Sequence, residues 1–344
     1  MTNGVIRRYF ATAAVGLEPI LAEEIKELGS DLQEVMIQRG KVFFQMKRPW
    51  NELLRLRCAD NVYRVIGRIT LGKQRADLAR LAEFLDRVPW RNLAEEGMDN
   101  SRGIHVSASR KGTHAFSRFE LMDQMAASLR KRGFVCPSTK EGALQLRADL
   151  VEEECILSMK LTDAAFRYRR AERVFVSGGI RPTVAAALVL ISKPCRTDVV
   201  YDPFCGAGTI TEERASYPAR RILASDWDEE RVRLAEANGM GKYIVFCADA
   251  RNTPSAPASV DALISNPPWN RQVAVADVGS LYADFLREAD RILKPTGRMV
   301  LLTDCHEELA AAAEECGFDL TPRYPLSLHG LHPIIYELRK DRSK

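Results

Sequence analysis

The sequence predicts an α/β fold in its second half, a parallel sheet covered by helices on both faces, preceded by an α+β region in its first half. Short apolar strands alternate with helix-length segments from Thr197 to Thr303, and a glycine-containing turn, Asp202 to Thr209, directly follows the first of those strands. Residues 1–180 hold strands and helices without that strict alternation, so the two halves are read as different kinds of unit. Regular alternation is the sequence pattern of a parallel sheet with crossover helices.

In chain order, Arg7 to Thr12 reads as a strand, Leu17 to Leu28 as a helix, and Val35 to Gln45 as strands turning at Gly40. A second unit opens near Leu71. It holds the helix Arg75 to Asp86, the strand Gly103 to Ser109, the helix Arg118 to Arg132, and the strands Ala143 to Asp149 and Cys155 to Leu161. Thr162 to Gly179, with Arg167, Arg169, Arg170, Arg173 and the pair Gly178-Gly179, reads as a polar connection. The expected organisation is 1–70, 71–165, a linker over 166–181, and 182–344.

In the second half, Thr197 to Tyr201 and Arg221 to Ser225 are strands separated by the helix Thr209 to Ser216. The helix Asp228 to Asn238 carries Asp228, Glu229 and Glu230 in its first turn, where they complement the helix dipole. Lys242 to Phe246 and Val260 to Ser265 are the third and fourth strands. Leu281 to Leu293 has near-helical apolar spacing and is expected to end at the breaker run Lys294-Pro295-Thr296-Gly297. Arg298 to Thr303 is the fifth strand, and Arg323 to Leu328 with Pro333 to Leu338 form an antiparallel hairpin beside the sheet.

A chain of 344 residues with 46% hydrophobic content can bury more than one core. No stretch approaches the ~20 apolar residues of a membrane span, and the start lacks a signal-like apolar core, so a cytoplasmic location is expected. Eight cysteines and five histidines are dispersed without a C-x-x-C pair, which predicts reduced thiols and no metal site. The pair His329 and His332 lacks a third nearby ligand and reads as solvated or structural. The formal charge of +4 is unevenly distributed: residues 1–180 carry 30 Lys+Arg against 23 Asp+Glu, and residues 181–344 carry 20 against 23. A basic first half suits a polyphosphate partner.

The chemistry is concentrated at strand ends. Asp202-Pro203-Phe204-Cys205-Gly206-Ala207-Gly208-Thr209 lies where nucleotide-type ligands bind, outside the carboxyl end of a strand, with Gly206 and Gly208 allowing a tight turn. Asp226 follows Gly208 by 18 residues, near the ~20-residue offset at which a carboxylate reaches ribose hydroxyls. Asp249, followed by Ala250, ends the third strand, where it can accept a hydrogen bond from an adenine amino group. The fourth strand runs into Asn266-Pro267-Pro268-Trp269. An aromatic amine is a poor nucleophile because its lone pair is delocalised. Acceptors such as the Asn266 side-chain oxygen and the Pro267 carbonyl favour the pyramidal nitrogen that attacks a methylsulfonium. Pro267 and Pro268 stiffen the turn, and Trp269 offers a face for stacking an extruded base.

These residues resemble the class I, Rossmann-like methyltransferases that act on exocyclic or amide nitrogens through an Asn-Pro-Pro-aromatic motif, with Trp269 where Tyr, Phe or His is more usual. In the first half, Tyr9-Phe10-Ala11-Thr12, Gly16-Leu17-Glu18, Val106 to Arg110 and His114-Ala115-Phe116-Ser117 resemble the ferredoxin-like and THUMP domains of RNA guanine-N2 methyltransferases. The resemblance implies S-adenosylmethionine as cofactor and a guanosine of tRNA as target, at position 6 of the acceptor stem, with the single-stranded acceptor end as anchor. It implies a cofactor site drawn from Arg181, Pro182, Thr183, Asp202, Phe204, Gly206, Gly208, Thr209, Asp226, Trp227, Asp249, Ala250 and Asn266. Glu213 matches an acidic residue common in that family after the glycine loop. Ribosomal-RNA guanine-N2 methyltransferases share the layout and are the alternative, while a non-catalytic RNA-binding protein would account for the basic half alone.

Overall fold

The computed structural model describes residues 5–90, 101, 103–169, 176–269, 277–328 and 330–341. Arg170, Arg173 and His329 of the sequence reading lie outside these.

The first half builds β1 (Arg7–Thr12), α1 (Glu18–Glu27), β2 (Gln33–Gln38), β3 (Lys41–Met46) and β4 (Asn61–Thr70). It continues with α2 (Leu78–Arg87), β5 (Ile104–Lys111), α3 (Arg118–Lys131), β6 (Leu144–Val151), β7 (Glu154–Lys160) and the short α4 (Ala164–Tyr168). Ser117 caps α3 reciprocally with Glu120, which fixes where that helix begins. β4 has no counterpart in the sequence reading, and it joins what were expected as separate units. The sheet runs β2-β3-β1-β4-β7-β6-β5, with β4 paired to β1 on one side and to β7 on the other.

This sheet places its helices on one face. Phe44, Tyr9, Arg64, Met159 and Leu146 are successive cross-strand partners, and cores built on α1, α2 and α3 pack on that side. On the opposite face Phe10, Phe43, Tyr63, Val65 and Ile156 form a separate small core. The sheet bends over them far enough for Lys41 on β3 to reach Asp149 on β6 at 2.8 Å, although three strands lie between.

The second half contains α5 (Pro182–Ile191), β8 (Val199–Asp202), α6 (Thr209–Arg214), β9 (Arg221–Asp226), α7 (Glu229–Gly239), β10 (Ile244–Cys247) and β11 (Val260–Ser265). Then come α8 (Val278–Ile292), β12 (Leu293–Thr303), α9 (His306–Glu315), β13 (Phe318–Pro325) and β14 (Ile334–Lys340). The order β10-β9-β8-β11-β12-β14-β13 is parallel through β12, with the antiparallel hairpin β13–β14 at one edge, so the α/β reading and its appended hairpin are seen in the structure. The run Lys294 to Gly297 corrects one expectation. It does end α8, but it does so inside a strand: Val260 pairs with Leu293 and Ala262 with Arg298, so the extra residues are taken up as an irregularity of β12. β13 also begins at Phe318, five residues before the predicted Arg323.

The two halves share one core. Leu17, Leu21 and Ile25 from the first half pack in the same cluster as Val184 and Leu188 of α5 and Ile264, Val300 and Leu302 of the second sheet. A backbone bridge joins Val15 to Ser327, and a Cβ on Gly16 would stand 2.1 Å from the Pro325 carbonyl oxygen, so the contact closes only without a side chain there. No helix among the described residues is long and apolar enough to cross a membrane.

Candidate active site

Because β8, β9 and β11 are parallel neighbours, the loops after them open on the same edge of the sheet. They line a cleft of about 710 Å³, within the ~300–1,000 Å³ range of small-molecule sites. The linker segment Val176 to Arg181 closes one side, and Asp277, Ser280 and Leu281 at the start of α8 line another part.

Asp202 ends β8 and is buried. Its Oδ1 accepts hydrogen bonds from the Ser265 hydroxyl (2.6 Å) and the Phe204 N–H (3.2 Å), while its Oδ2 meets no partner among the described residues. Burial pushes this carboxyl up to about 7, and the nearby Asp226 charge acts in the same direction. Asp226 ends β9 and holds the glycine loop, accepting from the Gly206 N–H at 3.0 Å and from the Asp228 N–H at 3.2 Å. Burial raises its carboxyl above the usual range as well. Trp227, next in sequence, is 74% exposed and forms part of the rim.

Asn266 follows β11. Its Nδ2 donates to the Gly178 carbonyl at 3.2 Å, which fixes the amide plane, and its Oδ1 is buried with no hydrogen-bond partner among the described residues. An unpaired buried carbonyl oxygen carries a cost that a donor from the cleft would remove. The turn beyond it is braced: the Pro268 carbonyl accepts from the Tyr282 hydroxyl (3.1 Å), and the Trp269 Nε1–H donates to the Leu302 carbonyl (3.0 Å). Trp269 is half-buried against the core shared by the two halves, so its indole is held rather than free to swing.

The cleft gathers Arg181, Asp202, Phe204, Gly206, Thr209, Asp226, Trp227, Asp249, Ala250 and Asn266 to Trp269. It does not gather Gly208, Pro182 or Thr183. Gly208 takes φ +80° at the start of α6, and a Cβ there would meet the Tyr243 hydroxyl at 2.3 Å, so helix packing requires a glycine there. Pro182 opens α5, and the Thr183 hydroxyl is spent on Asp60 of the first half (2.8 Å). Asp249 reaches the cleft, but Arg251 grips its carboxylate, with Nη2 at 2.7 Å and the backbone N–H at 2.9 Å, and the side-chain hydrogen bond from Arg251 lowers its pKa. Glu213 is not at the cleft. It is fully buried between Arg57 and Arg169, each at 2.8 Å, and so ties the first half and the linker to the end of α6.

Sequence reasoning missed Arg231, Arg251, Leu328, Leu331 and the Gly178 carbonyl as parts of the cleft. Only α8 carried a readable cue, because Asp277 caps it through the Ser280 N–H and starts it three residues before the predicted Leu281. Among the described residues no three His, Cys, Asp or Glu side chains are grouped as a metal site, and the eight cysteines are free.

The residues present fit S-adenosylmethionine. The unpaired, buried Asp202 Oδ2 suits an ammonium group, Asp226 retains acceptor capacity for hydroxyls, and the flat Trp227 and small Ala250 suit an aromatic base.

Residues 169–333 match the UPF0020 family, described as an RMKL-like methyltransferase domain, and residues 8–63 match the RlmL ferredoxin-like domain. The chain is 32% identical over 340 residues to the tRNA (guanine(6)-N2)-methyltransferase of Thermus thermophilus, covering 96% of this chain and 98% of that protein. It is 24% identical over 339 residues to the ribosomal RNA large subunit methyltransferase K/L of Syntrophotalea carbinolica, covering 80% of this chain and 46% of that one. Its fold matches the crystal structure of TrmN from Thermus thermophilus with a TM-score of 0.82 at 31% identity, over 97% of this chain and 99% of the other. With this site geometry, the chain belongs to the THUMP-domain RNA (guanine-N2-)-methyltransferase family and is an S-adenosylmethionine-dependent enzyme.

Proposed function

We propose that the protein methylates the exocyclic N2 amine of a guanosine in tRNA, at position 6 of the acceptor stem. The observation that carries the chemistry is the buried, unpartnered Oδ1 of Asn266, fixed by the Gly178 carbonyl at the edge of the cleft. When bound, S-adenosylmethionine supplies an electrophilic methyl group and leaves as the neutral thioether. Asn266 Oδ1 and the Pro267 carbonyl accept the two amine hydrogens and draw the nitrogen toward a pyramidal shape, which localises its lone pair. Asp202 Oδ2 holds the cofactor ammonium, and Asp226 holds its ribose. Trp269 stacks the extruded guanine, whose unstacking costs a few kcal/mol. The attacking nitrogen becomes cationic and then loses a proton to water, so no general base is required.

Residues 1–70 and 71–165 hold the RNA, including the single-stranded acceptor end, while residues 182–344 carry out the transfer. The activity of the Thermus relative, to which the chain is similar along nearly its whole length, supports tRNA and position 6. The ribosomal relative, which this chain spans over less than half of its length, supports 23S rRNA as the second reading. A tRNA substrate supports a cytoplasmic location.

The test is to incubate the protein with radiolabelled cofactor and separate tRNA and ribosomal-RNA pools, then map the labelled nucleotide. Label at N2 of guanosine 6 in tRNA is the expected result, and label confined to ribosomal RNA overturns it. Asn266→Ala should reduce turnover ~100-fold or more with cofactor affinity nearly unchanged. Near-normal turnover would remove Asn266 from the mechanism.

A further inference from the structure

The arginine-rich connection between the halves includes side chains the catalytic site does not use. Arg169 turns inward to Glu213, but Arg167 does not join it. Arg167 and Arg181 sit on opposite oxygens of one carboxylate, Asp60, at 3.4 and 3.3 Å, and Arg181 lines the cleft. On the other side of Arg167 lies the end of β7. Lys160 faces Tyr63 on β4 and Gln145 on β6, and Arg147 occupies the next position of that face opposite Ser158. Lys160 and Lys140 make no ion pair among the described residues, and Arg147 shares Asp149 with Lys41.

These contacts set out a continuous strip. Lys41, Arg147, Lys140, Lys160, Arg167 and Arg181 give six cations, accompanied by the carboxylates Asp149, Asp60 and Asp163. Lys160 registers the surplus: burial lowers its pKa, and Lys140, Arg167 and Arg147 push it further down against the single opposing pull of Asp163. Fixed positive charges of this kind are costly to a protein surface unless an anion meets them. The strip begins on the helix-free face of the first sheet and ends at the rim of the cleft that holds Asn266.

We infer that this strip, from Arg147 and Lys160 through Arg167 to Arg181, is the track on which the phosphodiester backbone of the substrate RNA crosses from the first half to the cleft. The inference rests on the RNA substrate of the proposed function. Phosphates placed along it release counterions and orient the strand, and they read no sequence. The face carries side chains of both N-terminal units, so the strip gives the two halves one common path for the RNA.

The test uses the full-length protein with Lys140→Glu and Lys160→Glu combined, because neither residue touches the cleft. RNA affinity is measured by fluorescence anisotropy across a KCl series, with steady-state kinetics and calorimetry of cofactor binding alongside, on whichever RNA the wild type methylates. The expected result is RNA binding weakened about 10-fold or more at low salt and a salt slope smaller by about 2. KM for RNA should rise with kcat little changed, and cofactor affinity should be unaltered. Wild-type RNA affinity and salt slope in the variant overturn the track, as does a change in oligomeric state with RNA binding unaltered, which would assign the strip to a protein contact. Wild-type methylation of ribosomal RNA only would change the proposed substrate while leaving the track to be judged on that RNA. A wild type that binds no RNA at all removes both.

Discussion

The two ends of the first sheet meet the rest of the protein in different ways. At the β1–β3 end, α1 contributes Leu17, Leu21 and Ile25 to a core that also contains α5 and the centre of the second sheet. At the β5–β7 end, Leu81, Leu85, Leu121, Met125 and Leu129 from α2 and α3 build a core whose buried members all come from the first half. The first end is part of the catalytic body, while the second is attached to it mainly through strands. Removing residues 1–165 would strip the cover from α5 and take Arg57 away from Glu213. α1 therefore belongs to the core of the second half, whereas α2 and α3 pack only within the first half.

The largest expected effect comes from breaking the joint itself. Glu213→Ala leaves Arg57 and Arg169 without their common carboxylate and should cost about 3–5 kcal/mol, measured by urea denaturation. Cofactor affinity should fall along with stability, because α6 starts beside the cleft. A loss below about 1 kcal/mol would mean that the shared apolar core alone holds the halves together.

A paired comparison sharpens the contrast. Leu21→Ala and Leu121→Ala each delete a fully buried side chain and should each cost about 2–5 kcal/mol. Hydrogen exchange should then separate them: Leu21→Ala loosens α5 and β11 with the first half, whereas Leu121→Ala loosens α2, α3 and β5–β6 and leaves cofactor binding intact. Equal deprotection of α5 in both variants would erase the distinction between the two ends.

The smaller effects concern the cleft. Asp226→Ala should weaken S-adenosylmethionine by roughly 1–3 kcal/mol. Asp249→Ala should fall at the lower end of that range, since its carboxylate is half-exposed and already gripped by Arg251. For Asp202 the folded pKa of about 7 lies above the ordinary aspartate value of 3.8, so its stabilising share is complete below about pH 4 and is lost as pH rises through about 7. An ammonium partner reverses the preference. Cofactor affinity should therefore increase as pH rises through about 7, while the free enzyme loses stability over the same window, and Asp202→Asn should flatten both profiles. A cofactor titration with no pH dependence across that window would separate Asp202 from the ammonium.

The strand ends of the second half are legible in the sequence because each chemical residue directly follows a run of short apolar period. Asp202, Asp226 and Asn266 all arrive at one edge of the sheet, and the position of a strand end is a local property. What is less legible depends on partners distant in sequence. β4 is hidden because its residues Arg64 and Arg68 interrupt the apolar pattern, and only its neighbours on both sides make it a central strand. α5 is apolar on almost every side, as a helix enclosed between two domains must be, so it lacks the amphipathic period that marks a surface helix. Glu213 offers no local cue that its ligands are arginines 156 and 44 residues away. The glycine loop does not reveal that Gly208 is also required by Tyr243, a residue distant in sequence.

The hydrogen bond between Ser265 and Asp202 has a further consequence. Asp202 and Asn266, the latter adjacent to Ser265, lie at the ends of strands that are direct neighbours in register at Ala262 with Val200 and Leu263 with Tyr201. The separation of the two strand ends is thereby scaled by the interstrand spacing of a β-sheet, ~4.8 Å, a length set by the hydrogen bonds between its strands. On the proposed function, motion of the first half changes how often a guanosine arrives, whereas the spacing of these two strand ends stays that of the sheet.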